Sequence, residues 1–242
     1  KELVENSIDA EATAIQITIE QGGKELIRID DDGEGIASDD VLLSLERHAT
    51  SKLRSPEDLF AIGTLGFRGE ALPSIASVSQ MTLITKTKEE TAGSFVETHG
   101  GKIHDHHPIG ATQGTSILVR QLFYNTPARY KFLKTEATER RYILDTVLQI
   151  AMAHPEIKFT LTSDNQVIFQ SPGDGDTLSV LVSAYGRRVA EAMIPVDRTK
   201  DFMPITGYVS RPEVTRGNRK DETIIVNGRV INSRMLCSAI EK

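Results

Sequence analysis

ELVENSIDAEATAIQITIEQGGKELIRIDDDGEGI, residues 2–36, carries the pattern that decides the fold class. In its opening stretch Leu3, Val4 and Ile8 are apolar, while Glu2, Glu5, Asn6 and Asp9 recur at i, i+3, i+4 and i+7. That spacing predicts a helix over 1–10 with the four polar groups on one face. From 14 to 20 the period changes: Ile15, Ile17 and Ile19 alternate with Gln16, Thr18 and Glu20, as in a half-buried strand. Gly22-Gly23 turns the chain into a second strand over 24–30, completing a hairpin. A tight loop, DDGEGI over 31–36, follows.

Further along, Ser38 with Asp39 and Asp40 forms an acid-rich helix start, and Ser55-Pro56-Glu57-Asp58 forms another with Pro at the first helical position. Residues 63–73 are punctuated by Gly63, Gly66 and Gly69, and strand character returns at 79–87, 94–98 and 115–120. Residues 136–153 give the clearest helix, with Ile143, Val147, Ile150 and Ala151 at helical spacing and Pro155 beyond its end. A hairpin around Asp164-Asn165 spans 158–170, and a Gly/Asp-rich connector at 172–177 leads to a helical run. The last segment predicts a strand at 223–227, a turn at Asn227-Gly228 and a helix from about Ser233. The whole is an α/β chain.

The chain has 242 residues, a formal net charge of -6, no Trp and one Cys. That length allows one or two domains. No apolar run approaches the roughly 18 residues of a membrane span, and the start lacks the pattern of a secretion signal. Cys237 stands alone, which excludes an internal disulfide and a cysteine metal cage and fits a reducing, intracellular setting. The charge is uneven: residues 1–185 carry 17 Lys/Arg against 27 Asp/Glu, and 186–242 carry 11 against 7. An acidic whole argues against a general nucleic-acid binder, while the basic last segment leaves a local nucleic-acid surface open.

Four constellations carry chemical content, each with a plainer alternative. The acidic face of the first helix is either solvated surface or a metal-and-water site. One Asn oxygen suits Mg²⁺, which takes few protein ligands beside phosphates and waters, and a carboxylate one turn away suits a general base. Asp31-Asp32-Gly33-Glu34-Gly35 is either a simple turn or a buried acceptor for a base amino group, with glycines letting the backbone pass close. It is not a Walker loop, because GxxxxGK[ST] occurs nowhere. Gly66-Phe67-Arg68-Gly69-Glu70-Ala71-Leu72 is either a surface loop or a phosphate cradle ahead of a helix start. Gly114-Thr115 heads a strand and says little by itself. His104, Asp105, His106 and His107 read as a solvated polar loop and lack the helical i,i+4 spacing of a zinc pair.

In this order and with these gaps, ELVENSIDA, DDGEGI, GFRGEAL and GTS resemble the four motifs of the GHKL ATPases. RHATSK (47–52), GTLGFRGEALPSI (63–75) and LFYNTPARYKFL (122–133) narrow the likeness to the MutL family of DNA mismatch-repair proteins, and VNGRVINSR (226–234) resembles that family's second domain. The resemblance implies Glu2 as general base and Asn6 as Mg²⁺ ligand. It implies an adenine contact from Asp31 in a pocket shaped by Gly33 and Gly35, and nucleotide contacts from Thr50, Ser51 and Lys52. Residues 66–72 would form an ATP lid and Thr115 the fourth motif, with ATP and Mg²⁺ as cofactors. Glu11 and Asp32 depart from the family's usual Gly and Asn, at positions without an assigned chemical role.

The implied fold is the GHKL (Bergerat) two-layer sandwich of a mixed sheet and helices over 1–185, followed over 186–242 by the start of a second, smaller α/β domain. The implied function is ATP-dependent matchmaking in DNA mismatch repair. Its partners would be a mismatch-recognition protein, a downstream nuclease or helicase, DNA bound mainly non-specifically, and a second copy in the full-length protein. Arg234 is the preferred single DNA contact. The absent initiator Met and the absence of the family's late lysine motif lead us to expect a piece truncated at both ends, with little or no hydrolysis of its own. Two rivals stay open: another GHKL ATPase, such as a chaperone or topoisomerase subunit, and a non-catalytic DNA- or partner-binding module.

Overall fold

The computed structural model describes residues 1–46, 70–200, 203–214 and 221–240. They divide into two units, 1–147 with 158–170, and 148–157 with 171–242.

In the first unit, α1 (Glu2–Asp9) leads into β1 (Ala14–Glu20) and β2 (Leu26–Asp31). Then come α2 (Ser38–Val41), α3 (Ala71–Ala76), β3 (Gln80–Lys86), β4 (Gly93–His99), β5 (Lys102–Ile109) and β6 (Gly114–Arg120). A short α4 (Pro127–Tyr130), the long α5 (Glu136–Ala153), β7 (Lys158–Ser163) and β8 (Gln166–Gln170) complete it, with α5 ending beyond the unit's boundary. The eight strands form one sheet in the order β5-β4-β3-β6-β2-β1-β7-β8. Every pairing is antiparallel except β1 with β7, so the sheet is mixed.

The alternating isoleucines of β1 explain how the core is built. Residues opposite each other across paired strands share a face, so the register turns the strand pattern into rows. Ile19, Ile27, Val119 and Met81 make one row, and Ile17, Ile29, Ile117, Leu83 and Val96 the next. Leu161 and Phe159 of β7 extend the apolar face beside Ile17 and Ile15. Most of these side chains are buried, Ile15, Ile19, Leu83, Phe159 and Leu161 completely. Each contributes about 1.5–3 kcal/mol relative to exposure. The following row changes character: Ile15 is succeeded by Asp31, Thr115, Thr85 and Ser94. The opposite face carries Arg28, whose guanidinium binds Asp30, and Ser116, which donates to Asp30 Oδ1 at 2.7 Å.

Two readings of the sequence are corrected. Asp31 is not in a loop: it is the last residue of β2, because it pairs with Thr115. His104 to His107 lie on the edge strand β5, held to β4 by rings stacked at 4.6 Å (His99–His104) and 4.7 Å (Phe95–His107). Pro108 fits an edge because it has no N–H to donate. The acid-rich start at Ser38, Asp39 and Asp40 does open a short helix, α2; Ala37 stands at its cap position, and the Ser38 N–H is taken by Glu90.

In the second unit, Asp176 caps α6 (Thr177–Tyr185) by accepting the Leu178 N–H at 2.9 Å. After α7 (Arg187–Glu191), β9 (Met193–Lys200) pairs antiparallel with β10 (Met203–Ser210), and β11 (Ile224–Val226) with β12 (Arg229–Ile231). Asn227 and Gly228 join β11 to β12 with φ of 50° and 73°, the twist a two-residue hairpin requires. Ser233 precedes α8 (Arg234–Ile240), its Oγ accepting the Leu236 N–H at 3.3 Å. No helix among the described residues is long and apolar enough to cross a membrane.

Gly114 starts β6 at φ +112°, and a Cβ there would collide with the Asp31 backbone carbonyl. Gly114→Ala is expected to cost about 1–3 kcal/mol. Thermal unfolding should show the melting temperature falling by roughly 2–4 °C for each kcal/mol lost. An unchanged midpoint would refute this close approach.

Candidate functional site

The third row of the sheet and the C-terminal end of α1 converge on one carboxylate. Asp31 Oδ2 accepts the Ser7 hydroxyl at 2.7 Å, and Oδ1 accepts the Gly33 and Thr115 amides, each at 3.1 Å. Ser7 is buried on the inner side of α1 beside Leu3 and Val4. Burial, with a smaller contribution from the nearby Asp32 charge, pushes the Asp31 carboxyl above the usual carboxylate range against the lowering effect of these three donors. Three protein donors leave the half-buried carboxylate with acceptor capacity to spare, since an ionised carboxylate offers about four lone-pair sites.

Asp32, one residue on, does different work. Its Oδ1 accepts the Thr13 and Ala14 amides at 2.8 Å each, and Oδ2 accepts the Thr13 hydroxyl at 2.6 Å. Burial alone would raise it, but the Thr13 hydroxyl and the two amides hold it below the usual range. Asp32 thus fixes the start of β1 to the end of β2. The Glu34 amide also donates to the Ala10 carbonyl at 2.9 Å, so the turn is fastened to the end of α1.

The glycines are needed where the backbone is crowded. A Cβ on Gly33 would sit 2.5 Å from the Ala10 carbonyl oxygen. Gly35, at φ +76°, faces the Lys86 carbonyl with no room for a side chain. The backbone beyond it is held by Thr85, which is 1% exposed and whose Oγ1 accepts the Ile36 N–H at 2.8 Å. The same oxygen lies 3.0 Å from Thr115 Oγ1 and 3.2 Å from the Gly114 carbonyl. Gln113 donates to the Gly33 carbonyl at 3.2 Å. Glu90 receives the Ser38 amide at 2.8 Å and the Thr87 hydroxyl at 2.9 Å, and these donors, the Ser38 amide foremost, hold its carboxyl down to about 2.

On α1, Glu2 is accessible, with a side chain 59% exposed and 3.9 Å from Lys1 Nζ. Glu5 is more enclosed, at 12%, and pairs with Lys1 Nζ at 3.0 Å. Asn6 lies one turn from Glu2, and its carbonyl accepts the Ala10 N–H at 3.0 Å. Glu70 caps α3, whose first turn holds Ala71 and Leu72, and α3 packs beside α1. Thr50, Ser51, Lys52, Gly66, Phe67, Arg68 and Gly69 lie outside the described residues.

Among the residues singled out from sequence, the structure brings Asp31, Gly33, Gly35 and Thr115 together and ties them to the helix bearing Glu2 and Asn6. Arg234 opens α8 in the second unit and is exposed. Sequence reasoning missed Ser7, Thr85, Gln113 and Glu90. Ser7 left a signal, a hydroxyl among the apolar positions of an amphipathic helix. Thr85 left one only in its register with Thr115.

The family model described as histidine kinase-, DNA gyrase B- and HSP90-like ATPase matches residues 1–120. A second, described as the C-terminal domain of DNA mismatch repair protein, matches 181–242. DNA mismatch repair protein MutL of Streptococcus pyogenes is 47% identical over 240 residues, covering 99% of this chain and 36% of its own length. That of Streptococcus thermophilus is likewise 47% identical, with 99% and 37% covered. The chain therefore spans little more than a third of the curated relatives it matches. The Aquifex aeolicus MutL ATPase domain complexed with ADP superposes with a TM-score of 0.76 at 29% identity, covering 99% of this chain and 84% of that one. The N-terminal domain of a DNA repair protein gives 0.82 at 26%, covering 98% and 74%. The chain belongs to the MutL family and corresponds to its N-terminal GHKL ATPase region.

Proposed function

We propose that this chain is the ATP-binding, slowly ATP-hydrolysing region of a DNA mismatch-repair matchmaker. The observation that carries the reading is Asp31, a half-buried carboxylate braced by Ser7, Gly33 and Thr115 at the junction of helix, turn and strand. Such an acceptor suits the amino group of adenine, with Gly33 and Gly35 letting the backbone pass close to the base. The ADP-complexed Aquifex domain supports a nucleotide as the ligand. Residues 1–185 would form the ATP-binding domain and 186–242 the start of the second.

Glu2 is the proposed general base. It is accessible and can orient and deprotonate a water, whereas Glu5 is enclosed and engaged with Lys1. The oxygen-donor chemistry of the α1 face fits Mg²⁺, with Asn6 as the residue that would hold it. The ion would neutralise phosphate charge. Thr50, Ser51, Lys52 and residues 66–72 would contact the phosphates and cover them. In the whole protein, ATP binding would close a dimer and relay mismatch detection from a recognition protein to a nuclease or helicase, hydrolysis resetting the cycle. Such a protein would work in the bacterial cytosol.

Asp31→Asn should weaken nucleotide binding by at least about 10- to 150-fold, because losing a charged acceptor costs roughly 1.5–3 kcal/mol and the amide can present the wrong group. Calorimetry with ATP tests this, and unchanged affinity would remove Asp31 from the role. The raised carboxyl has a consequence for pH: protonation removes the acceptor, so affinity should begin to fall on acidification above the ordinary Asp range.

Glu2→Ala in the full-length protein should leave ATP binding nearly intact while phosphate release drops by on the order of 10²–10⁴. Normal turnover would transfer the base role to Glu5. Residues 1–242 alone should hydrolyse little, and family-like turnover by them would refute that expectation.

Arg234 is the proposed phosphate contact of a sequence-independent DNA surface in the basic segment 186–242, which also carries Arg187 and Arg188. Arg234→Ala should lower the slope of log affinity against log salt by about one unit. Salt-independent DNA binding would count against the surface.

A further inference from the structure

We propose that Asn125 is a positioning residue for ATP hydrolysis: its carboxamide fixes the C-terminal end of α3, and α3 sets Glu70, Ala71 and Leu72 beside the helix that bears Glu2 and Asn6. The inference rests on the nucleotide reading above. It gives the Phe123-Tyr124-Asn125 stretch a function that needs no contact with the ligand.

The helix α3 cannot place itself. It has six residues, Ala71–Ala76, and its buried side chains are Pro73 and Ala76. A helix this short has no independent stability in water, so its position depends on what holds it. It packs beside α1. Just past its last residue, three successive carbonyls are each taken by a donor from elsewhere in the first unit. The Ser77 carbonyl accepts Asn125 Nδ2 at 2.9 Å, the Val78 carbonyl the Phe123 amide at 2.7 Å, and the Ser79 carbonyl the Gly100 amide at 3.0 Å. Of these three donors, Asn125 alone acts through its side chain.

The loop that supplies Asn125 is strained and held. Gln121 and Phe123 have φ of 50° and 67°, in the left-handed region that residues with a Cβ seldom adopt. Such a conformation persists where its surroundings over-determine it. The Gln121 amide donates to the Glu25 carbonyl at 3.1 Å, and the Leu122 amide to the Lys24 carbonyl at 3.3 Å. The β4–β5 turn closes the other side. A Cβ on Gly100 would lie 3.1 Å from Asn125 Nδ2 and 3.2 Å from Tyr124 Oη, and one on Gly101 would lie 3.2 Å from Ser77 Cα.

A carboxamide suits position 125 because it faces a carbonyl. Its NH₂ can donate there, whereas a carboxylate of the same shape has no proton to give. Six helical residues span about 9 Å, so a shift at the end of α3 reaches Glu70, Ala71 and Leu72 at its start. Asp31 takes its three donors from α1, the glycine turn and β6, and none from α3. Losing the carboxamide should therefore disturb the phosphate end of the nucleotide and spare the base end.

The test uses the full-length protein as wild type, N125D, N125A and N125Q, with kcat from phosphate release and ADP affinity from calorimetry. N125D and N125A should each lower kcat roughly three- to tenfold, the worth of a typical hydrogen bond, with ADP affinity unchanged. N125Q keeps the donor and should recover most of the rate. If N125D does not fold, N125A gives the same readout. Wild-type turnover in N125D or N125A would overturn the inference alone. So would N125Q as slow as N125A, or ADP affinity falling by the same factor as turnover. A wild-type protein that binds no ADP would overturn the nucleotide reading and this inference with it.

Discussion

The pairing of Asp31 with Thr115 is the constraint on which the rest of the site depends. It ends two apolar rows of the sheet and begins a polar one, at the level where α1 and the glycine turn meet the strands. A carboxylate at that position must be hydrogen-bonded, because burying a charged group without partners costs several kcal/mol. Its partners come from α1, from the turn and from β6, so one side chain holds three separate segments in register.

Asp31 and Asp32 show how neighbours in sequence divide two duties. Asp32 points to the start of β1, is fully engaged by Thr13 and Ala14, and has its carboxyl held low. Asp31 points to the opposite face, is more deeply enclosed, and has its carboxyl pushed up. The alternation of a strand separates them, and the environment of each face does the rest. At this position, where the family commonly has Asn, the carboxylate takes the two amides on Oδ1 and the Thr13 hydroxyl on Oδ2.

Much of this was legible in the residues. The isoleucine alternation of β1, the Gly22-Gly23 hairpin and the length of α5 follow from local period and turn chemistry, and the structure has them within a residue or two. Asp31, Gly33, Gly35 and Thr115 stand out as candidates because their motifs come in order, and the structure brings the four together. What local pattern could not supply was register. Asp31 pairs with Ile15 of the adjacent β1, but its bond to the Thr115 amide depends on β6, far along the chain, and so do the contacts of Thr85, which resembles any other buried β-branched residue. The β5 edge strand was hidden because HDHHP has polar composition, and its pairing is sustained by ring stacking on β4 rather than by burial.

The parallel pairing of β1 with β7 gives this region a particular order of events during synthesis. The hairpin pairs β1–β2, β3–β4 and β4–β5 can form as they emerge and β6 can then join β2 and β3, whereas Ile15 must wait for Phe159, at the far end of the first unit. Loop closure over such a separation is slow, and until it occurs β1 presents an isoleucine-rich open edge. A nascent or truncated chain ending near Arg120 would hold all four of the ATPase motifs and still display that edge to other chains. The boundary of the sequence motifs is therefore not the boundary of the folding unit, and solubility is expected to arrive with the β7–β8 hairpin rather than with the last site residue.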